Sequence, residues 1–314
     1  MFACTAIFGI FLNLFIIYVS LKKNITLDYK YFVLNLSTVD LLHSFSALIG
    51  SFLFLDFSYD GIFCSFHGLL FWYGFFGSSI ILLPVLLHRY LVYYRFGVNH
   101  ESMPKQHIFL VCIVADLLPL ILVVRLNFLG SFGRDSESLM CTFLPDKNSL
   151  AHTFIYGFVL FLFLALSYCL IAFLGWKVYL KIAEKLTLER EDRSLNKQKT
   201  DTESAVRMAL AQTILPLSFH VPFFILNLLK SVDFQFDSLK NLFQTHWFPF
   251  VYLTVLMCFL LNPCVDAVIT IKMLKVYREN FVLLFKKRKI TLRGSITPGA
   301  EKPPKGVIIA WATI

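Results

Sequence analysis

Three carboxylates sit where water is scarce. Asp40 lies in LNLSTVDLL, Asp116 in CIVADLLPL and Asp266 in NPCVDAVIT, each inside a long apolar run. Such groups can move protons, hold a metal or pair with one another, and in an apolar medium each marks a functional position by default. Catalysis needs more than isolated carboxylates. It needs a nucleophile beside a base, or ligands clustered around a metal. The eight histidines (43, 67, 88, 100, 107, 152, 220 and 246) show no metal-ligand spacing, and no His-Glu-x-x-His occurs. No catalytic residue, metal site or cofactor is therefore expected, and the chain does not read as an enzyme. Asn13, Asn35, Ser78 and Asn262 are uncharged polar residues in the same apolar setting. They suit hydrogen bonds between helices, worth about 0.6 kcal/mol each.

The elements that position these residues are membrane helices. The chain is 57% hydrophobic and only 16% charged, with a mean hydropathy of +0.69. A soluble domain is about 25% charged. Seven apolar runs are marked, at about 2–21, 30–55, 62–95, 107–129, 151–180, 205–229 and 246–272. Each approaches or exceeds the ~20 residues a spanning helix needs. Only helices and closed barrels satisfy the backbone in lipid, and these runs are too long for barrel strands. The predicted fold is an all-α membrane protein, a seven-transmembrane helix bundle. Helix 1 is expected to act as its own insertion signal, unless the start is truncated.

Orientation follows from Lys and Arg. With the N-terminus outside and the C-terminus inside, all but five of the 29 basic residues fall on inner segments; Arg125, Arg134, Lys147, Lys230 and Lys240 are the exceptions. The +9 charge is then a cytoplasmic face that meets anionic lipid and acidic partners, not a nucleic-acid surface. The sequons at Asn24 and Asn35 fall in an inner loop and within helix 2, so neither is expected to be glycosylated. The polar segment 181–204 is expected to extend helices 5 and 6. After helix 7, Met273, Leu274, Tyr277, Phe281 and Leu284 recur at helical intervals among basic residues, which predicts a short amphipathic helix on the inner leaflet. The helical domain covers 1–290, and the tail 291–314 has a disordered composition.

The third run, Cys64 to Tyr90, is the axis of this arrangement. From Cys64 to Arg89 a helix is about 37 Å long at 1.5 Å per residue, enough to join both interfaces. Cys64 stands at its outer end and Cys141 in the longest outer loop, 130–150. A Cys64–Cys141 disulfide suits an oxidising exterior; the alternative is two free thiols near the surface. Pro84, Pro119, Pro216, Pro222 and Pro263 each remove a helix hydrogen bond and permit a bend.

With those residues marked, the chain resembles the rhodopsin-like G-protein-coupled receptors over all seven helices. Asn13 matches the helix 1 asparagine of that family, Asp40 the helix 2 aspartate and Cys64 the helix 3 cysteine. Ser78 falls where a sodium-pocket serine is common. Arg89 matches the arginine of Asp-Arg-Tyr, within His88-Arg89-Tyr90 here. Tyr168 matches the helix 5 tyrosine, and Asn262-Pro263 opens the helix 7 Asn-Pro motif. The departures are specific. His88 replaces the acid, helix 4 lacks its tryptophan, and Phe219-His220-Val221-Pro222 replaces Cys-Trp-x-Pro. Asp266 replaces the helix 7 tyrosine, and Cys258 precedes Asn262 by four, which speaks against a full sodium site. These departures are similar to nematode serpentine chemoreceptors of the str and class delta group. Gln212-Thr213-Ile214-Leu215-Pro216 with Pro222, and Asn262-Pro263-x-x-Asp266 followed by Tyr277-Arg278, carry that likeness.

The resemblance implies a chemosensory receptor in the ciliary membrane of sensory neurons, with a small-molecule ligand and a heterotrimeric G protein as partners. Phe71, Trp72, Phe75, Phe219, His220 and Trp247 are the expected pocket residues. Asp40, Ser78, Pro216, Pro222, Asn262, Pro263 and Asp266 are the expected switch, and His88, Arg89 and Tyr90 the coupling end. The rival classes are a small-solute transporter and a receptor that no longer couples. A transporter favours paired, interrupted half-structures, and no internal repeat is present.

Overall fold

In the computed structural model, residues 2–22, 30–55, 62–95, 105–134, 141–145, 150–188, 193–236 and 248–294 are described, although certain side chains within them, Arg89, Cys141 and Pro216 included, are not. The described helices are α1 (Phe2–Leu21), α2 (Lys30–Leu55), α3 (Ile62–Arg95), α4 (Lys105–Leu129), α5 (Leu150–Leu188), α6 (Arg193–Phe236), α7 (Phe248–Leu260), α8 (Asn262–Met273) and α9 (Lys275–Gly294). Seven spans are long and apolar enough to cross a membrane, the seventh combining α7 and α8. Helices α5 and α6 run into the polar segment between them, as expected for 181–204.

Leu261 separates α7 from α8. Pro263 has no N–H to donate, and the helix is interrupted two residues before it. Leu261 N–H is shared between the carbonyls of Met257 (3.0 Å) and Cys258 (3.2 Å). By contrast α3, α4 and α6 continue as helix through Pro84, Pro119, Pro216 and Pro222. Leu274, extended at φ −93°, ψ 113°, breaks the chain again before α9.

The segment 130–150 contains an antiparallel hairpin of β1 (Gly130–Arg134) and β2 (Cys141–Pro145), with Arg134 opposite Cys141. Both strands pack on α3. Cys64 is disulfide-bonded, while Cys4, Cys112, Cys169, Cys258 and Cys264 are free. The side chain of Cys141 lies outside the described residues.

The interior has two apolar layers. One contains Leu12, Ile16, Phe32, Val39, Ile81 and Tyr277; the other contains Phe71, Phe75, Phe76, Phe223, Phe224 and Phe259. On α2, Asp40, His43, Ser44 and Ser46 fall between these layers, and on the seventh span Asn262 and Asp266 do. Close approach of α2 and α3 depends on Gly74 and Gly77. A Cβ at Gly77 would lie 2.7 Å from Val39 Cγ1, and one at Gly74 2.5 Å from His43 Cβ. The exterior is apolar as well, with Leu166, Ile121, Phe109 and Phe250 exposed. In water such a surface is an aggregation liability; in lipid it is the contact face.

Helix α9 docks through its first half. Tyr277 is fully buried, and its hydroxyl lies 2.8 Å from Ser20 Oγ on α1. Lys22 donates to Asn280 at 2.7 Å, and Phe281 meets Phe15 edge-on. Val282 to Phe285 are exposed, so the second half presents an apolar strip as an amphipathic surface helix does.

Candidate functional site

Polar side chains in the middle of the bundle form three groups. The first ties α1 to the seventh span. Asn13 Nδ2 donates to the carbonyls of Gly9 (3.0 Å) and Pro263 (3.2 Å). Asn262 Nδ2 donates to Asp266 Oδ2 at 3.1 Å. Asp40 and Asp266 are both fully buried and within electrostatic reach of each other. Asp116, the third carboxylate, accepts from Asn35 at 3.1 Å and ties α4 to α2.

The second group ties α6 to α8. Gln212 Nε2 donates to the Asp266 carbonyl and to Thr270 Oγ1, each at 3.0 Å.

The third joins α3, α5 and α6. Ser79 Oγ donates to Phe75 O at 3.0 Å and lies 2.8 Å from Tyr168 Oη. Tyr168 Oη lies 2.8 Å from His220 Nδ1, and Ser79 Oγ lies 3.3 Å from the same nitrogen. Proton counting assigns the tautomer. With Nδ1 bare, Ser79 and Tyr168 supply two hydrogens for four contacts. With the proton on Nδ1, His220 donates to Tyr168, Tyr168 to Ser79, and Ser79 to Phe75 O, while the longer His220–Ser79 contact shares the N–H. Every contact then carries a hydrogen, and Nε2 is left with a lone pair.

The His220 ring is packed in a cluster of aromatic side chains. His220, His43 and Phe71 each lie 5.1 Å from the Phe259 ring, Phe75 lies 5.4 Å from it, and Phe223 stacks on it at 4.4 Å. His220 Nε2 and both ring nitrogens of His43 are buried without a hydrogen-bond partner. Nearby, His67 bonds Ser46.

Of the expected pocket residues, Phe71, Trp72, Phe75 and His220 meet in this cluster, with Trp72 against Phe75 and Phe76. Phe219 is partly buried, and Trp247 lies outside the described residues. Ser78 turns to its own backbone, donating to Gly74 O at 2.9 Å. The working serine is its neighbour, Ser79. His43, Phe223 and Phe259 were not among the expected residues. Their spacing held a signal: His43 is nearly one turn from Asp40, and Phe259 nearly one turn from Asn262. At the inner end, His88 is buried and lies 5.4 Å from the Phe32 ring. Tyr90 is partly buried. Among the described residues, no three His, Cys, Asp or Glu are grouped to hold a metal.

The fold and the mid-bundle polar layer are those of a seven-helix membrane receptor. Residues 12–269 match the family described as 7 transmembrane receptor (rhodopsin family), and the chain belongs to that family. It is a multi-pass membrane protein of a signalling-receptor class. Among solved structures, squid rhodopsin is similar at a TM-score of 0.67 and 17% identity, over 91% of this chain and 83% of the other. No curated protein matches the sequence.

Proposed function

We propose that the chain is a G-protein-coupled chemosensory receptor of the nematode serpentine str or class delta kind, oriented N-out and C-in, in the ciliary membrane of a sensory neuron. The observation that carries this reading is the attachment of α6. A short hydrogen-bonded relay joins it to α3 and α5 beside the aromatic cluster, and Gln212 joins it to α8. Both attachments are local and buried, so a ligand can release α6 by shifting an existing equilibrium between two packings. In this reading Pro216 and Pro222 weaken α6, and Asp40, Ser78, Asn262, Pro263 and Asp266 set the resting packing. The inner end at His88-Arg89-Tyr90 receives the G protein, and a Cys64–Cys141 disulfide fixes the outer end of α3. Histidine cannot act as a permanent acid partner for Arg89, so the resting lock depends more on the mid-bundle attachments.

The test is guanine-nucleotide exchange in membranes that hold this chain and a panel of G proteins, with small volatile and water-soluble metabolites as probes. Exchange that responds to a probe and disappears in Arg89→Ala supports the reading. No exchange from folded, surface-expressed protein with any G protein removes coupling and leaves the non-coupling receptor.

A further inference from the structure

We propose that the seventh span is hinged at Leu261: α8 and α9 stay fastened to α1, while α7 moves with α6. The hinge goes beyond the receptor reading, because it belongs to the bundle whether or not a G protein is engaged. Pro263 cannot donate to the carbonyl of Phe259, the acceptor four residues back. Leu261 N–H is divided between two carbonyls, and Cys264 N–H reaches back three residues, to Leu261 O at 3.0 Å. Leu261 itself keeps a helical conformation, φ −73° and ψ −18°. The span has therefore lost helix bonding at this point without leaving the helical path, which is how a proline makes a bend.

Different partners hold the two sides. Below Leu261 the partner is α1. Asn13 Nδ2 donates to the Pro263 carbonyl at 3.2 Å, and the Cys264 thiol donates to the Thr5 carbonyl at 3.3 Å. Farther along, Ser20 meets Tyr277 and Lys22 meets Asn280. Gly9 permits this close approach: a Cβ there would lie 3.2 Å from Cys264 Sγ. Above Leu261 the partners are rings from α2, α3 and α6. Phe259 is fully buried and stacks on Phe223 at 4.4 Å, with His43, Phe71, Phe75 and His220 within 5.4 Å. The residue whose carbonyl lacks the Pro263 donor is thus the one whose ring α6 grips.

Helix α6 crosses the break. Phe223 holds α7 above it, and Gln212 holds α8 below it through two 3.0 Å hydrogen bonds. Close-packed rings hold harder than two hydrogen bonds between membrane helices, so Gln212 lets go first. Helices α6 and α7 then swing together against an α8 that α1 keeps in place.

The test measures two spin-label distances in the purified full chain in nanodiscs, with the exposed Cys4 and Cys169 replaced by serine. Ile7 on α1 is the common reference. Phe250 on α7 lies above the hinge and Val282 on α9 below it, and all three side chains are exposed. Gln212→Leu removes both bonds and should raise the population of a second Ile7–Phe250 distance by about eightfold. Thr270→Val removes one bond and should raise it by about threefold, which keeps the test open if the first variant does not fold. The Ile7–Val282 distance should stay single in both. Adding Pro263→Ala restores an N–H opposite the Phe259 carbonyl and should return the second population to its starting level. A single, unmoved Ile7–Phe250 distance in the folded variants overturns the proposal, as does a second Ile7–Val282 distance. So does a second population that Pro263→Ala leaves intact at normal thermal midpoint. The expected distances with no nucleotide exchange from any G protein would sink coupling and leave the hinge standing. Exchange with an unmoved Ile7–Phe250 distance would do the reverse.

Discussion

Replacing Gln212 by leucine isolates the lower attachment of α6. The Gln212 amide is fully buried and makes two 3.0 Å hydrogen bonds to α8, while its Oε1 has no partner. Leucine fills a similar volume and leaves no polar atom at residue 212. Hydrogen bonds between membrane helices average about 0.6 kcal/mol, so the pair holds α6 by about 1.2 kcal/mol. If both break when α6 moves outward, their loss shifts the resting-to-active ratio by about eightfold. The assay is ligand-free nucleotide exchange per surface receptor. The expected result is basal exchange raised up to about eightfold, with surface level and thermal midpoint close to those of the unaltered chain. Unchanged or lower basal exchange from protein that meets those controls refutes the assignment of Gln212 as a resting-state latch.

Three further outcomes follow from the packing. Gly77→Val drives a side chain into Val39 at the α2–α3 contact; overpacking of this kind costs about 1–3 kcal/mol and should appear as a lower thermal midpoint and reduced surface expression. Tyr277→Phe removes the buried bond to Ser20 and should speed hydrogen exchange in α9, because that bond is worth about 1 kcal/mol. Burial pushes the Tyr277 phenol from 10.0 up to about 12, with the Ser20 bond pulling the other way. Its contribution to docking is thus complete below pH 10.0 and fades as pH rises through about 12, measurable as α9 exchange against pH. Cys64→Ser should lower stability by about 2–5 kcal/mol, and a non-reduced digest of the unaltered chain should yield a peptide linking residues 64 and 141.

Much of the fold is legible in the apolar runs, because length and continuity alone force helices in lipid. The break before Asn262 is legible too, since a proline removes a donor at a known position. The uninterrupted course of α3, α4 and α6 through their prolines is not, because neighbouring groups in a bundle can stabilise the helix around a missing bond. The junction at the centre was harder still. Ser78 and Ser79 are equally polar and equally deep, and one step along a helix turns a side chain by about 100°. Only packing decides that Ser78 bonds its own turn while Ser79 meets Tyr168 and His220. His43 and Phe259 are inconspicuous in the sequence for a related reason: each stands three residues from a more prominent motif residue, Asp40 and Asn262. The hairpin of 130–145 had no strong alternation to announce it.

In the proposed mechanism α6 moves away from α3 when a G protein is engaged. It is tested most directly by the distance between spin labels at Leu87 on α3 and Arg207 on α6, in nanodiscs, with and without nucleotide-free G protein. The expected result is a second, longer distance whose population grows with the G protein and is enriched by Gln212→Leu in its absence. One unchanging distance under all these conditions, in a chain shown to bind the G protein, would contradict it.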